Sequence, residues 1–303
     1  MNKRTIAIYL TAIGILFVVA SGWYIRAFIL TQETAPLKFD GERALEDVKT
    51  QVAFGPRIPG STAHAKILGW MRSELEAAGW QVQIQQSESM GHPIQNLLAY
   101  RTLEPPQILL GEHYDSRLWA NHDPDSTKQH DPVPGADDGA SGVAVLLGLA
   151  HTLPKNSVPV WLVFFDAEDN GEIPGWDWLL GSKAFVANMD IKPREMILVD
   201  MVGGINLSLP IEGNSTPELS NSIWQTAADL GYGNVFIPQT KYYIEDDHIP
   251  FLQAGIPSVD IIDIDYPYWH TTSDTPDHIS AQSLQIVGNV LWTWITRQDL
   301  QSK

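Results

Sequence analysis

A chain of 303 residues, 44% hydrophobic and 18% charged, carries enough apolar side chain for one large α/β domain or two small ones. A formal charge of −17, from 19 basic against 36 acidic residues, excludes nucleic acid as a partner, because phosphate binding needs a basic footprint. The absence of cysteine excludes disulfides, thiol nucleophiles and thiolate metal sites, so any metal must be held by histidine and carboxylate.

Lys3 and Arg4 precede TIAIYLTAIGILFVVASGWYI, residues 5–25, which carries no charge and is closed by Arg26. A helix needs about 20 such residues to cross a bilayer. The run exceeds the apolar core of a typical cleaved signal, so an uncleaved anchor is expected; cleavage near Ala20-Ser21-Gly22 would instead give a secreted protein. Basic residues before the span put the N-terminus in the cytoplasm and the remainder outside. Residues 1–26 are therefore expected to form a cytoplasmic stub and transmembrane anchor, residues 27–40 a linker, and residues 41–303 one folded domain without internal repeats.

ERALEDVKTQVAF, residues 42–54, has helical spacing, and the turn-rich GPRIPGS follows. Ser61 is placed to cap a second helix that ends at Gly79. WQVQIQQ alternates like a half-exposed strand, and NLLAYR and QILLGEHYDS predict two more. Then come a helix at 139–152, a strand at 158–165, a helix near 181–189 and a strand at 195–201. A helix at 217–230, a short one near 248–254, a strand at 257–264 and a helix at 280–296 complete the chain. Alternating elements with near-continuous apolar strands predict a mostly parallel, mixed central sheet flanked by helices on both faces.

Ligands of such sheets bind beyond the carboxyl ends of the strands, where acids and histidines recur in this chain. ILLGEHYDS brings His113 and Asp115, VWLVFFDAED brings Glu168 and Asp169, MILVDMVGG brings Asp200, and IIDIDYPYWHTTSD brings His270. PGADDGASG opens a helix with Asp137 and Asp138. Asp138, one of Glu168/Asp169, and His270 would make a three-ligand catalytic zinc site with an open position. Side chains of neighbouring residues diverge, so one of Glu168 and Asp169 can hold the metal while the other moves protons. Each piece also has a plainer reading. Asp137-Asp138 can cap a helix, His113 can be a hydrogen-bonded structural histidine, and Asp166 can sit against backbone. Glu168-Asp169-Asn170-Gly171 can be a solvated turn, and Trp176 and Trp178 can be packing residues.

HYDS, PGADDGASG, FFDAED, LVDMVG and WHT, in that order, resemble the zinc aminopeptidases and their relatives, the animal-type glutaminyl cyclases, over roughly residues 50–300. The resemblance implies an aminopeptidase-like fold, zinc ligands Asp138, Asp169 and His270, and Glu168 as catalytic acid/base. It also implies a second metal at His113 and Asp200 if the protein is a two-zinc aminopeptidase. IEDDHIPFLQAGIP, residues 244–257, is similar to the cyclase stretch that adds an acid to a proton-sharing network. That makes Asp246 and Asp200 partners of Glu168. Trp269 matches the indole that walls the cyclase pocket, and the lid EIPGWD aligns Trp176 with a second pocket tryptophan. Asp169 stands where the family has glutamate, and the lid is shorter. The implied activity is a zinc-dependent glutaminyl-peptide cyclotransferase with one zinc, acting on peptide or protein N-termini. A two-zinc aminopeptidase is the alternative, and a non-catalytic metal-binding ectodomain the lesser one. Nothing in the chain speaks to oligomeric state.

Overall fold

The computed structural model describes residues 39–301. The expected anchor at 5–25 and most of the expected linker lie outside them; among the described residues no helix is long and apolar enough to cross a membrane.

Two helices open the described chain, α1 (Gly41–Ala53) and α2 (Thr62–Ala77). Asp40 caps α1 by accepting the amides of Glu42 and Arg43, and Ser61 caps α2 through the amide of His64. The strands β1 (Gln81–Ser89) and β2 (His92–Tyr100) form an antiparallel hairpin. Next come β3 (Ile108–His113), α3 (Ala140–Thr152), β4 (Val160–Phe165), α4 (Leu180–Ala187) and β5 (Glu195–Asp200). The chain continues through β6 (Leu209–Glu212), α5 (Pro217–Asp229), β7 (Phe236–Tyr242), α6 (His248–Gln253), β8 (Ser258–Ile262) and α7 (Ala281–Gln301).

The main sheet has the order β1-β2-β4-β3-β5-β8. Strands β4, β3, β5 and β8 are mutually parallel, while β2 joins β4 antiparallel, so the sheet is mixed as expected. A second sheet, β6 with β7, was not predicted: LPIE is short and FIPQTKY is mostly exposed, so neither carries an apolar alternation.

Strand residues alternate between two cores. Ile108, Leu110, Leu162 and Phe164 face α1, α3 and α7, whereas Leu109, Val163, Met196 and Leu198 pack with Phe185 of α4 and Phe251 of α6. Helix α3 is buried on nearly every side, which explains why ASGVAVLLGLA lacks a polar stripe. Its Gly142 lies against the sheet so closely that a Cβ would stand 1.8 Å from the Val199 carbonyl oxygen.

Asp47 of α1 is a buried acid whose Oδ2 has no hydrogen-bond partner, and Arg43 Nε is 3.9 Å away. Burial outweighs Arg43 and raises its pKa to about 7. An acid raised in the folded state favours the protonated form there. Its stabilising contribution is therefore full below the ordinary carboxylate value and is lost as pH rises towards 7. Asp47→Asn should match the wild type in urea unfolding at pH 4 and exceed it by about 2–4 kcal/mol at pH 8. Equal stability at pH 8 would refute the strain assigned to Asp47.

Candidate metal centre

The four parallel strands end on one rim, and the loops that follow them carry the acids and histidines. His113 ends β3, Asp166 to Asp169 follow β4, Asp200 ends β5, and Trp269 and His270 lie in the loop after β8. Among the described residues, six non-glycine residues have positive φ, and Ala167, Met201 and His270 are three of them. Each adjoins or carries a site residue, and such backbone costs about 1–3 kcal/mol unless its surroundings impose it.

Asp138, Asp169 and His270 are all buried, and each offers one ligand atom within 4.8 Å of the others. His270 Nε2 is 2.9 Å from Asp169 Oδ1 and 3.7 Å from Asp138 Oδ2. Asp138 Oδ2 and Asp169 Oδ2 have no hydrogen-bond partner, a costly state for buried carboxylate oxygens. Burial pushes the His270 pKa down to about 3, leaving the imidazole neutral as a ligand must be. Burial, then the neighbouring Asp138 charge, raises Asp169 well above the usual carboxylate range. One nitrogen and two carboxylates with unclaimed oxygens fit zinc.

A second group, Glu112, His113 and Asp200, meets the same spacing. His113 Nε2 lies 3.1 Å from Asp138 Oδ1 and 3.6 Å from Asp200 Oδ1, so Asp138 stands between the two groups. Burial opposes the charged imidazole, but the surrounding carboxylates of Asp115, Asp138 and Asp200 raise His113 well above its ordinary value.

The acids of FFDAEDNG divide their work. Asp166 accepts the Gln95 amide on Oδ2 and meets His64 Nε2 at 2.7 Å, the backbone-facing role open to it from sequence. Asp169 turns to His270, while Glu168 lines the adjoining cavity. Asp138 does not cap α3; Gly139, at φ +84°, occupies the cap without a side-chain bond. Asp137 accepts the Gly203 amide at 2.7 Å and stitches the helix start to the end of β5.

Six acids line the cavity: Asp138, Glu168, Asp169, Asp200, Glu245 and Asp246. No lysine or arginine does. Trp178, Ile244, Ile264 and Trp269 supply apolar walls. Burial, and then nearby acids against an opposing His113, raises Glu168 well above the carboxylate range; burial and Asp200 do the same to Asp246. Trp269 packs 4.0 Å from the His270 ring. Trp176 is not at the cavity. It stacks on His92 at 3.6 Å and packs with Ile94, Ala167 and Leu180, and Trp178 lines the cavity instead, parallel to His270. The reason is local: Gly171 has no side chain, and its Cβ would lie 2.1 Å from the Trp178 ring.

Several working residues escaped the sequence reading. Asp115, noted only beside His113, accepts the amides of Glu168 and Asp169 and so sets the direction of both side chains. Asp274 accepts the amides of Asp137 and Asp138. Arg57 donates to the carbonyls of Tyr114, Pro134, Gly135 and Asp138. Contiguity of Arg117 with HYDS was the one available signal for that residue; Glu112 was hidden inside an apolar strand.

Comparison with known proteins agrees with this architecture. The pattern of peptidase family M28 matches residues 98–295. The chain belongs to peptidase family M28. This M28 chain is 25% identical to a glutaminyl-peptide cyclotransferase of Boiga irregularis, across 79% of the chain and 76% of the relative. It is 27% identical to the aminopeptidase YwaD of Bacillus subtilis, across 79% of the chain and 53% of that protein. Among solved structures, a Bacteroides thetaiotaomicron glutaminyl cyclase bound to N-acetylhistamine superposes with a TM-score of 0.81 at 34% identity, covering 86% of this chain and 98% of that one. A leucine aminopeptidase precursor from the same organism gives 0.82 at 33% identity, covering 86% and 98%. The M28 chain is thus a zinc-dependent enzyme of the superfamily holding both glutaminyl cyclases and zinc exopeptidases.

Proposed function

We propose that this M28 enzyme is a glutaminyl-peptide cyclotransferase, converting the N-terminal glutamine of peptides or proteins to pyroglutamate with release of ammonia. The observation that carries this reading is the meeting of Glu168, Asp200 and Asp246 in one cavity beside Asp138, Asp169 and His270. Hydrolysis needs an activated water, and a second metal can anchor the substrate amine. Cyclisation needs that amine unbound, because its nitrogen is the nucleophile.

Asp138, Asp169 and His270 would hold one zinc, which when bound supplies Lewis acidity to a substrate carbonyl. Everything else falls to side chains. The acidic cavity draws in the N-terminus as an ammonium ion, which gives up one proton to solvent there and reacts as the neutral amine. Glu168, with Asp200 and Asp246 sharing protons behind it, accepts a proton from the amine as its nitrogen bonds to the side-chain amide carbon. Glu168 then returns that proton to the amide nitrogen as the carbon–nitrogen bond breaks and ammonia leaves. Trp178 and Trp269 hold the side chain against the rim and keep water from the reacting carbon. We further propose that residues 5–25 anchor the enzyme with its catalytic domain outside the cytoplasm.

The second reading, a two-zinc aminopeptidase, is favoured by the buried Glu112–His113–Asp200 group next to the first. Full-length protein given a glutaminyl arylamide and a leucyl arylamide separates them. The cyclase should release ammonia from the first and no arylamine from the second. Arylamine from the leucyl compound, or close to two zinc ions per chain, would replace the cyclase with the peptidase.

A further inference from the structure

Arg117 is 1% exposed and engages three parts of the centre at once. Its Nη1 donates to the Asp169 carbonyl at 2.8 Å and lies 3.5 Å from Asp169 Oδ1. Its Nη2 donates to the Gly171 carbonyl at 3.0 Å, and its Nε to Asn121 Oδ1 at 2.6 Å. The guanidinium carbon sits over the Trp178 ring, 4.8 Å from its centroid. Trp178 in turn lies over Gly171 and parallel to the His270 ring, 6.0 Å away.

An aspartate carboxylate is one methylene from its backbone, so the place of Asp169 Oδ1 is set by the backbone of residue 169. A rigid fork that grips the carbonyls of 169 and 171 fixes that backbone, and its face fixes the indole that walls the cavity. We propose that Arg117 is a positioning residue that locks the metal ligand Asp169 and the cavity wall Trp178 into one unit, so that metal retention and pocket shape depend on the same side chain. The inference rests on the zinc-site reading and not on which reaction the enzyme performs. Lysine keeps the charge but has one nitrogen; it cannot bridge two carbonyls and stack on an indole together.

Arg101 provides a matched control. It also donates to backbone carbonyls, those of Ala150, Leu153 and Pro154, and its guanidinium lies 4.4 Å from the Trp80 ring, but this is at the far end of α3 from Asp138. Zinc-loaded full-length protein is mixed with a chromogenic chelator, and zinc release is followed alongside tryptophan emission. Arg117→Lys should release zinc about 10–100-fold faster than wild type. Its emission should shift, and Trp178→Phe in the same background should abolish that shift. Arg101→Lys should lower the unfolding temperature yet release zinc at the wild-type rate. Asn121→Ala, which frees Nε while leaving the guanidinium in place, should accelerate release in the same direction and serves if Arg117→Lys does not fold. Equal release from Arg117→Lys and Arg101→Lys, or from Asn121→Ala and wild type, would overturn the proposal. A wild type that takes up no zinc would overturn the metal-centre reading beneath it.

Discussion

Glu168→Gln should lower turnover by about 10²–10⁴-fold and leave zinc bound at the wild-type ratio. The exchange preserves volume and hydrogen-bonding shape but removes the proton acceptor. Both acids line the cavity, but Asp169 also meets His270 at 2.9 Å and groups with it and Asp138, so the proposed grip on the metal takes Asp169 and leaves Glu168 free. The test combines ammonia release from a glutaminyl peptide with zinc content measured on the same sample. Loss of zinc would mean that Glu168 is a ligand and that the division of labour between the two acids is reversed. Wild-type turnover would remove Glu168 from the chemistry altogether.

Asp138→Asn should give the opposite pattern, with zinc lost together with activity. Asp138 lies between both buried groups, 3.1 Å from His113 Nε2 and 3.7 Å from His270 Nε2. Hydrogen bonding and attraction from His113 prevail over burial and hold its pKa below the usual value, so it is an anion at neutral pH. The amide removes that charge and presents a poor ligand. A Lewis acid supplies several kcal/mol of transition-state stabilisation, so the rate should fall by about 10²–10³-fold or more, even with zinc added in excess. Full zinc occupancy in Asp138→Asn would exclude Asp138 from the set.

Most of the parallel sheet was legible because strands buried on both faces read as near-continuous apolar runs, as VWLVFF does and as ILLG does before Glu112 and His113. Asp138, one of Glu168 and Asp169, and His270 were legible as a possible metal set because acids and a histidine gather at the same rim; the choice of Asp169 came from the family resemblance. What the sequence hid are contacts whose partner is a backbone atom of a distant loop. Arg57 acts through backbone carbonyls, and Arg117 and Asp274 in part through backbone carbonyls and amides, which carry no residue identity. The exchange of Trp176 for Trp178 was hidden for a related reason. Two indoles two residues apart in a turn have no period to sort them, and the outcome was set by the bare face of Gly171 and the ring of His92. Strand β6 was missed because it is only four residues long, and β7 because it is mostly exposed.

The three proposed ligands of the centre reach it from the start of α3, the turn after β4 and the loop after β8, segments far apart in the chain. No stretch of unfolded polypeptide presents them together, so the ion has almost no affinity for the denatured ensemble. Its entire binding free energy is therefore added to the native side of the folding equilibrium. Zinc held there would be a rivet for the sheet as well as a reagent, and starvation for the metal would then expose the chain to unfolding and proteolysis even where no substrate is present.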